Sequence, residues 1–180
     1  MLIRFSFVRC KDGCNPILAN EVWRVNSHIP MNNFIFGVVF LPLIDELDQA
    51  DIIVMSSSMY NYGMPAALKA WFDQVIRIHK TFTFDLARGD FPLEPIMSGK
   101  TLVLITSSGE FGFEIGGIRE KMNHLGPHVQ TVSHYLGVET FHEIKAEYQE
   151  FNDDRHRQSV ASAHKTAAEL ATELANAYKL

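Results

Sequence analysis

Two apolar runs that each end in hydroxyl residues and a glycine-containing turn constrain the fold more than any other feature of the sequence. The first is DIIVMSS, residues 51–57, and the second is TLVLITSS, residues 101–108. Neither run alternates between apolar and polar residues, which is typical of strands covered on both faces in a parallel sheet. Ligands of such sheets bind beyond the carboxyl ends of the strands, so we expect the binding site in the turns that follow.

Helical patterns separate these strands. LPLIDELDQA, residues 41–50, predicts a short helix with Pro42 in its first turn, and Pro65 opens a second helix. A third helix is expected from about Ile118 to His124, and VETFHEIKAEY predicts a last strand. The apolar residues of the second helix recur at helical spacing and are Leu68, Phe72, Val75 and Ile76.

The last element is an amphipathic helix that Asn152 or Asp153 caps. Strands joined by helices through right-handed crossovers predict an α/β fold with a doubly wound parallel sheet. We expect residues 1–180 to form a single domain, with an atypical N-terminal region over residues 1–42 and a core over residues 43–180. The predicted apolar face of the last helix consists of Val160, Ala163, Ala167, Leu170 and Leu174.

Charge and composition exclude several classes of function. The chain has 180 residues and a formal net charge of -5 without a stripe of Lys and Arg, so no nucleic-acid partner is expected. Apolar runs such as residues 34–43 are too short to span a bilayer, and no signal pattern is visible, so the predicted location is the cytoplasm. No metal is expected, because Cys10 and Cys14 make only half of a zinc site and the histidines lack the spacing of a helical metal pair.

The turns after the two runs, SMYNYG and TSSGEFG, share one kind of chemistry. Each offers backbone N–H groups, small side chains and aromatic rings, and positive φ at Gly63 and Gly109 would point successive amides into a cavity. Turns of this composition suit the binding of a flat redox-active ring with polar edges. The alternative is that Tyr60, Tyr62 and Phe111 are core aromatics and that the serines cap helices, and spacing alone leaves both open.

Specific blocks of the sequence carry a family resemblance. ADIIVMSSSMYNYGMPAALKAWFDQVIR, TFTFD and SGKTLVLITSSG resemble the FMN-dependent NADH-azoreductases, also described as FMN-dependent NADH:quinone oxidoreductases of flavodoxin-like fold, and in places as acyl carrier protein phosphodiesterases. The resemblance runs from about Leu43 to the C-terminus, and its most specific part is the block from Met59 to Lys69.

The resemblance implies a set of cofactor residues in two loops. Its second flavin loop often has the pattern Ser-Arg-Gly-Gly, from which Ser108 and Glu110 depart. A lost guanidinium and a gained carboxylate would weaken flavin binding or change the favoured acceptor. The implied FMN-binding residues are Met59, Tyr60, Asn61, Tyr62 and Gly63 in the first loop, and Ser107, Ser108, Gly109 and Glu110 in the second.

The resemblance also implies the reaction and the partner. NADH or NADPH would pass a hydride to the flavin, and a quinone or an azo compound would then take two electrons on the same face, in a ping-pong cycle. Because the flavin carries the chemistry, no catalytic side chain is expected from the protein. Tyr62 and Phe111 are expected on the substrate side, where Tyr135 is expected to come from the partner subunit of a homodimer.

The N-terminal region departs from the family pattern, in which a serine-rich loop after the first strand holds the FMN phosphate. LIRFSFV and residues 34–40 are candidate strands, and RCKDGCN, with Arg9 and Lys11, is either an unusual phosphate loop or part of a region in which the ordinary unit is missing or replaced. The second interpretation is favoured. It allows an alternative function, a flavodoxin-like binding or assembly module without tight FMN binding. A hydrolase ranks last, because no activated nucleophile is visible.

Overall fold

The computed structural model describes residues 4–8, 23–24 and 36–179. Within them, four α-helices and seven strands follow one another along the chain. The strands are β1 (Arg4–Val8), β2 (Trp23–Arg24), β3 (Ile52–Ser58), β4 (Phe82–Phe84), β5 (Leu93–Pro95), β6 (Lys100–Ser107) and β7 (Val138–Ala146). The helices are α1 (Phe36–Gln49), α2 (Ala66–Val75), α3 (Gly126–Ser133) and α4 (Asp154–Tyr178).

Five strands form one sheet in the order β2-β1-β3-β6-β7. The predicted strands β3, β6 and β7 are confirmed and run parallel, with Ser58 paired to Ser107 and Ser107 paired to Ala146. The carboxyl ends of these three strands therefore lie side by side at one edge of the sheet, which is called the carboxyl edge below. The architecture is the expected α/β fold.

The N-terminal region confirms one expectation and corrects two. The described part of LIRFSFV, residues 4–8, does form a strand, but β1 is antiparallel to β3, with Val8 opposite Ile52, so it ends at the edge away from Ser58. Residues 36–40 are helical rather than a strand, and Pro42 lies inside α1 instead of in its first turn. A short apolar run does not distinguish a buried helix from a strand, which explains the error. The proposed phosphate loop with Arg9 and Lys11 lies outside the described residues.

Hydrophobic clusters cover both faces of the sheet. Alternate residues of a strand point to opposite faces, and Met55 and Leu104 belong to one cluster while Val54 and Val103 belong to another. The first cluster contains the buried residues of α1 and α2, including the predicted Leu68, Phe72 and Val75. The second packs under α4 and contains Ile144, Leu170, Ala163, Ala167 and Leu174, which confirms four of the five residues expected on the apolar face of the last helix; Val160 is not a member.

The helix expected from Ile118 to His124 is only a single 3₁₀ turn, Glu120–Met122. The α-helix starts later, at Gly126, with Pro127 in its first turn. The buried side chain of Asn123 explains this start, because its Oδ1 accepts from the N–H groups of Leu125 and Gly126 at 3.2 and 3.3 Å. An asparagine that caps the following residues ends one turn and begins the next element.

The long segment of residues 80–100 forms a small hairpin, in which β4 pairs with β5. It follows α2 and precedes β6, so it lies at the amino-terminal ends of the strands, opposite the carboxyl edge. Several of its large apolar side chains are exposed: Phe84, Leu86, Phe91, Leu93 and Ile96. In the part of the chain that the structure describes, helices long and apolar enough to cross a membrane are absent.

Candidate functional site

The carboxyl edge brings the two predicted loops into contact. They are the first loop, residues 59–63, and the second loop, residues 107–112. The N–H of Met59 donates to the carbonyl of Ser107 at 2.8 Å, and the Ser107 hydroxyl donates to the Ser58 hydroxyl at 3.1 Å. The expectation that these two turns adjoin is therefore confirmed.

The first loop is a tight turn that its own residues close. The N–H and carbonyl of Tyr60 exchange hydrogen bonds with Gly63 at 3.0 and 2.9 Å. Positive φ is found at Asn61 (47°) and Tyr62 (64°), not at Gly63 as expected. Because a bulky residue rarely adopts positive φ, Tyr62 is held in a strained conformation, as residues at functional sites often are.

The second loop is held by a segment that the sequence did not indicate. Residues 147–150 follow β7 and run beside the second loop. The N–H groups of Tyr148, Gln149 and Glu150 donate to the carbonyls of Glu110, Ser108 and Gly109 at 3.1–3.2 Å. The general rule that ligands bind where parallel strands end was the available signal, since this segment follows the third parallel strand.

At Gly109 φ is not positive, which corrects the expectation, and the nearest neighbour is the flexible side chain of Glu150. A Cβ at this position would lie 2.6 Å from Oε1 of Glu150, whose side chain folds back across the glycine. The carboxylate of Glu150 therefore lies against the second loop.

Between the loops lies a cleft of about 730 Å³. Five of the predicted residues line it, while Tyr62, Gly63, Ser108 and Glu110 do not. No Lys or Arg is among the lining residues. These are Ser58, Met59, Tyr60, Asn61, Ser107, Gly109, Gln149, Glu150, Asn152 and His156, of which Ser58 and the last four were not predicted.

Several backbone donors at this edge are available to a ligand. The N–H groups of Met59, Tyr60 and Gly63 are engaged within the fold. By contrast, among the described residues no acceptor contacts the N–H groups of Asn61 or Gly109. Because both residues line the cleft, their amides are free to donate to an occupant.

An ion pair completes the second loop. Nη2 of Arg119 lies 2.9 Å from Oε1 of Glu110, and its Nη1 donates to the carbonyl of Phe111 at 3.0 Å. Hydrogen bonding to the neighbouring carboxylate of Glu110 and the negative charge of that carboxylate raise the pKa of the Tyr62 phenol above its usual 10.0. Arg119 was missed because it lies well beyond the motif in sequence.

Phe111 is part of a stack instead of a free wall. Its ring lies 4.4 Å from that of Tyr148 at an angle of 13°, and the guanidinium of Arg119 lies 4.8 Å from its centroid. Tyr148 in turn contacts Phe151 and Arg155. Phe111 is not among the lining residues of the cleft, and its expected place on the substrate side stays a prediction.

Tyr135 is not brought to these loops within the chain. It lies in the 3₁₀ turn His134–Leu136, directly before β7, and its ring contacts Phe82 of the hairpin at 5.6 Å. This position is at the edge opposite the carboxyl edge. A contribution from a second copy, as expected for a homodimer, stays a prediction.

The cleft fits part of an FMN molecule. Its volume is in the range of small-molecule sites, and its hydroxyls, amides and free N–H groups match a polar-edged ring and a polyol chain. The carboxylate of Glu150 suits a ring N–H rather than an anion. A phosphate dianion, which needs converging donors or cations, is not served by the lining residues, since they include no Lys or Arg.

A family model described as flavodoxin-like fold matches residues 36–171. The chain belongs to this flavodoxin-like family. The assignment agrees with the parallel strands β3, β6 and β7 and with the ligand edge at their carboxyl ends.

Named relatives match part of this flavodoxin-like chain. It is 75% identical over 132 residues to FMN-dependent NADH:quinone oxidoreductase 2 of Colwellia psychrerythraea, covering 73% of this chain and 60% of the relative. It is 69% identical over 132 residues to the protein of the same name from Idiomarina loihiensis, covering 73% and 55%. The chain thus matches little more than half the length of these relatives.

A solved structure supports the fold independently. The crystal structure of an FMN-dependent NADH-azoreductase from Bacillus anthracis in complex with FMN aligns with a TM-score of 0.61 and 15% sequence identity. The alignment covers 75% of this chain and 63% of that chain. At this identity the similarity supports the flavodoxin-like fold alone.

Proposed function

We propose that the protein is an FMN-dependent NAD(P)H oxidoreductase that reduces quinones and azo compounds by ping-pong, two-electron hydride transfer. The observation that carries the proposal is the contact between the two loops around one cleft, with Met59, Tyr60, Asn61, Ser107 and Gly109 on its walls. The names of the two quinone oxidoreductase relatives support an enzyme over a non-catalytic module.

The chain's own residues would bind and orient the cofactor. FMN would supply the redox chemistry, accepting a hydride from the nicotinamide and passing two electrons to the acceptor. The free N–H groups of Asn61 and Gly109 donate to the edge of the ring and stabilise negative charge there. Tyr60, which is 48% exposed, presents an aromatic surface at the mouth of the cleft. Glu110 and Ser108 act indirectly by holding the loops.

The phosphate is proposed to bind outside the cleft. The lining residues include no Lys or Arg, and β1 ends at the edge away from Ser58. Donors for the phosphate would then come from residues 1–42 or from a second chain. We expect FMN to bind more weakly than it does to a relative with an intact serine-rich phosphate loop.

Assembly, location and substrate details belong to the same proposal. A homodimer in the cytoplasm, acting as one domain per chain, would let Tyr135 of one copy approach the substrate side of the other. The exposed apolar side chains of the hairpin, such as Phe84 and Phe91, support an interface between copies.

The test is a titration of the purified chain with FMN, followed by flavin fluorescence, and then addition of NADH under anaerobic conditions. We expect a yellow protein that NADH bleaches and that a quinone recolours.

Gly109→Val, which places bulk in the cleft, should weaken FMN binding at least about ten-fold. Ala70→Val, on an exposed position of α2, adds similar bulk away from the cleft and should leave binding unchanged. A colourless protein that FMN cannot reconstitute would contradict the proposal.

A further inference from the structure

The side chain of Glu150 lies at the wall of the cleft, against the second loop. Its Oε1 is 2.6 Å from the point that a Cβ on Gly109 would occupy, and both residues line the cleft. The backbone of Glu150 is held there, because its N–H donates to the carbonyl of Gly109 at 3.2 Å. A backbone contact within the fold therefore brings this carboxylate to the cleft.

Among the described residues, no cation contacts the carboxylate of Glu150. Two arginines of the surrounding segments, Arg119 and Arg155, each pair with another carboxylate, at 2.9 and 2.6 Å. The imidazole of His156 also lines the cleft, and its Nδ1 lies 3.1 Å from the backbone carbonyl of Glu147. The carboxylate of Glu150 can therefore accept hydrogen bonds from an occupant of the cleft.

A free donor lies beside this free acceptor. Within the described part of the chain, the N–H of Gly109 has no acceptor. The carbonyls of a quinone and the nitrogens of an azo group only accept hydrogen bonds, so neither matches the carboxylate of Glu150. The pyrimidine edge of a flavin matches both groups, because its carbonyl oxygens flank the N3–H. A nicotinamide carboxamide also has both kinds of group, but it stacks over the face of the ring and not at its edge.

We propose that Glu150 accepts the hydrogen bond of the flavin N3–H and that its negative charge lowers the reduction potential of the bound flavin. The inference deepens the proposed function and rests on it. A hydride from the nicotinamide, which is thereby oxidised, brings two electrons and one proton to the ring and leaves a negative charge on its pyrimidine side. A carboxylate at that edge opposes the new charge, so the oxidised ring binds better than the reduced one.

The free N–H groups of Asn61 and Gly109 act in the opposite direction. Donors stabilise negative charge on the ring and favour its reduced form. The potential of the bound flavin then depends on the balance between these two amides and the one carboxylate. Removal of the Glu150 charge alone leaves the amides in place, so its effect on the potential has a defined sign.

A first experiment measures binding without turnover. Oxidised FMN and its N3-methyl derivative are titrated into the apo protein, and binding is followed by quenching of flavin fluorescence. Methylation should weaken binding to the unsubstituted protein about ten-fold, and much less in Glu150→Ala, in which the hydrogen bond is already lost. Glu169→Ala removes an exposed carboxylate of α4 and should keep the full effect of methylation. Equal losses in the unsubstituted protein and in Glu150→Ala would overturn the inference.

A second experiment measures the reduction potential. Glu150→Gln keeps an acceptor for the N3–H and removes the charge, so the affinity for oxidised FMN should stay nearly the same. The affinity for reduced FMN should rise about ten-fold, which corresponds to an increase of about 30 mV in the two-electron midpoint potential. Anaerobic reduction in equilibrium with a reference dye measures the shift. An unchanged or lower potential would contradict the role of the charge.

The outcomes separate a failure of this inference from a failure of the proposed function. If FMN causes no quenching with the unsubstituted chain, the proposed function fails and the inference fails with it. If FMN binds and NADH bleaches it, but Glu150→Ala raises only the KM for NADH, the proposed function stands. Glu150 then acts on the nicotinamide and the inference is wrong. Thermal unfolding checks that the variants fold, as expected for an exposed side chain.

Discussion

The two loops of the site are built in different ways. The first loop is closed by its own residues, through the paired hydrogen bonds of Tyr60 and Gly63. The second loop depends on distant parts of the chain, namely Arg119, Asn123 and the segment 147–150 that follows β7. The first loop also makes hydrogen bonds with distant residues, since the N–H of Met59 donates to Ser107 and the N–H of His124 donates to the carbonyl of Tyr62. The two loops therefore differ in whether their own residues close the turn, and not in whether distant contacts exist.

The largest effect that tests this comparison is expected from alanine at Gly117. A Cβ at Gly117 would lie 2.8 Å from the carbonyl carbon of Gly112 and 2.9 Å from the carbonyl oxygen of Glu114, and backbone atoms cannot move aside. Gly117→Ala should therefore lower the free energy of unfolding by about 3 kcal/mol.

The matched control lies in the first loop. A Cβ at Gly63 would meet its nearest neighbours at 3.8–4.0 Å, which is ordinary contact. Gly63→Ala should stay within about 0.5 kcal/mol of the unsubstituted protein. Urea unfolding measures both, and equal effects would show that the loops do not differ in their dependence on distant residues.

The next effect concerns Asn123, which connects the end of the second loop to α3. Its Nδ2 donates to the carbonyl of Phe113 at 3.1 Å, and its Oδ1 accepts from the backbone of α3. Asn123→Ala leaves these buried groups without a partner and should cost about 2 kcal/mol. Asn123→Ser keeps a side-chain oxygen that can accept from the N–H groups at the start of α3 and loses the donor to Phe113 without adding a charge, so it should cost less. If the alanine variant unfolds like the original protein in urea, the connection is unimportant.

A smaller effect is expected in the first loop. Asn61 has a φ of 47°, which asparagine tolerates and alanine does not. Asn61→Ala should lower the free energy of unfolding by about 1 kcal/mol, whereas Asn61→Gly should retain most of the stability because glycine adopts positive φ freely. Thermal unfolding of the apo variants measures the difference. Equal losses in both would place the cost in the side chain and not in the backbone.

The difference between the loops also explains what the sequence could predict. Strand β3, the first loop and α2 follow one another without interruption, so their order and spacing identified them. The adjacency of the two loops followed from the rule for parallel strands. The positions of positive φ were predicted wrongly, because glycine was taken as the required residue where Asn61 and Tyr62 adopt that conformation.

Contacts between residues that are far apart in the sequence could not be predicted from it. Arg119 meets Glu110 only because the chain between them turns back, and nothing in its spacing indicates this. In the same way, Glu150 reaches Gly109 because β7 pairs with β6. The start of α1 was missed for a different reason, since an apolar run of that length suits a helix or a strand equally. Packing decides such cases.

The smallest effect concerns the start of α4, which follows the segment that supports the second loop. Asp153 caps this helix, and its hydrogen bond with the Arg155 side chain is the main reason why the pKa of its carboxyl is lowered from the usual 3.8. A carboxyl with a lowered pKa contributes stability that is complete above pH 3.8 and is lost as the pH falls through the folded-state pKa.

Asp153→Asn keeps an acceptor for the Arg155 N–H but loses the charge, so this variant should be slightly less stable than the unsubstituted protein at neutral pH and equally stable in strong acid. Urea unfolding across this pH range measures the convergence. Arg155→Gln should remove most of the same pH dependence; if it does not, the ion pair is not its cause, and the support of the second loop owes nothing to this cap's charge.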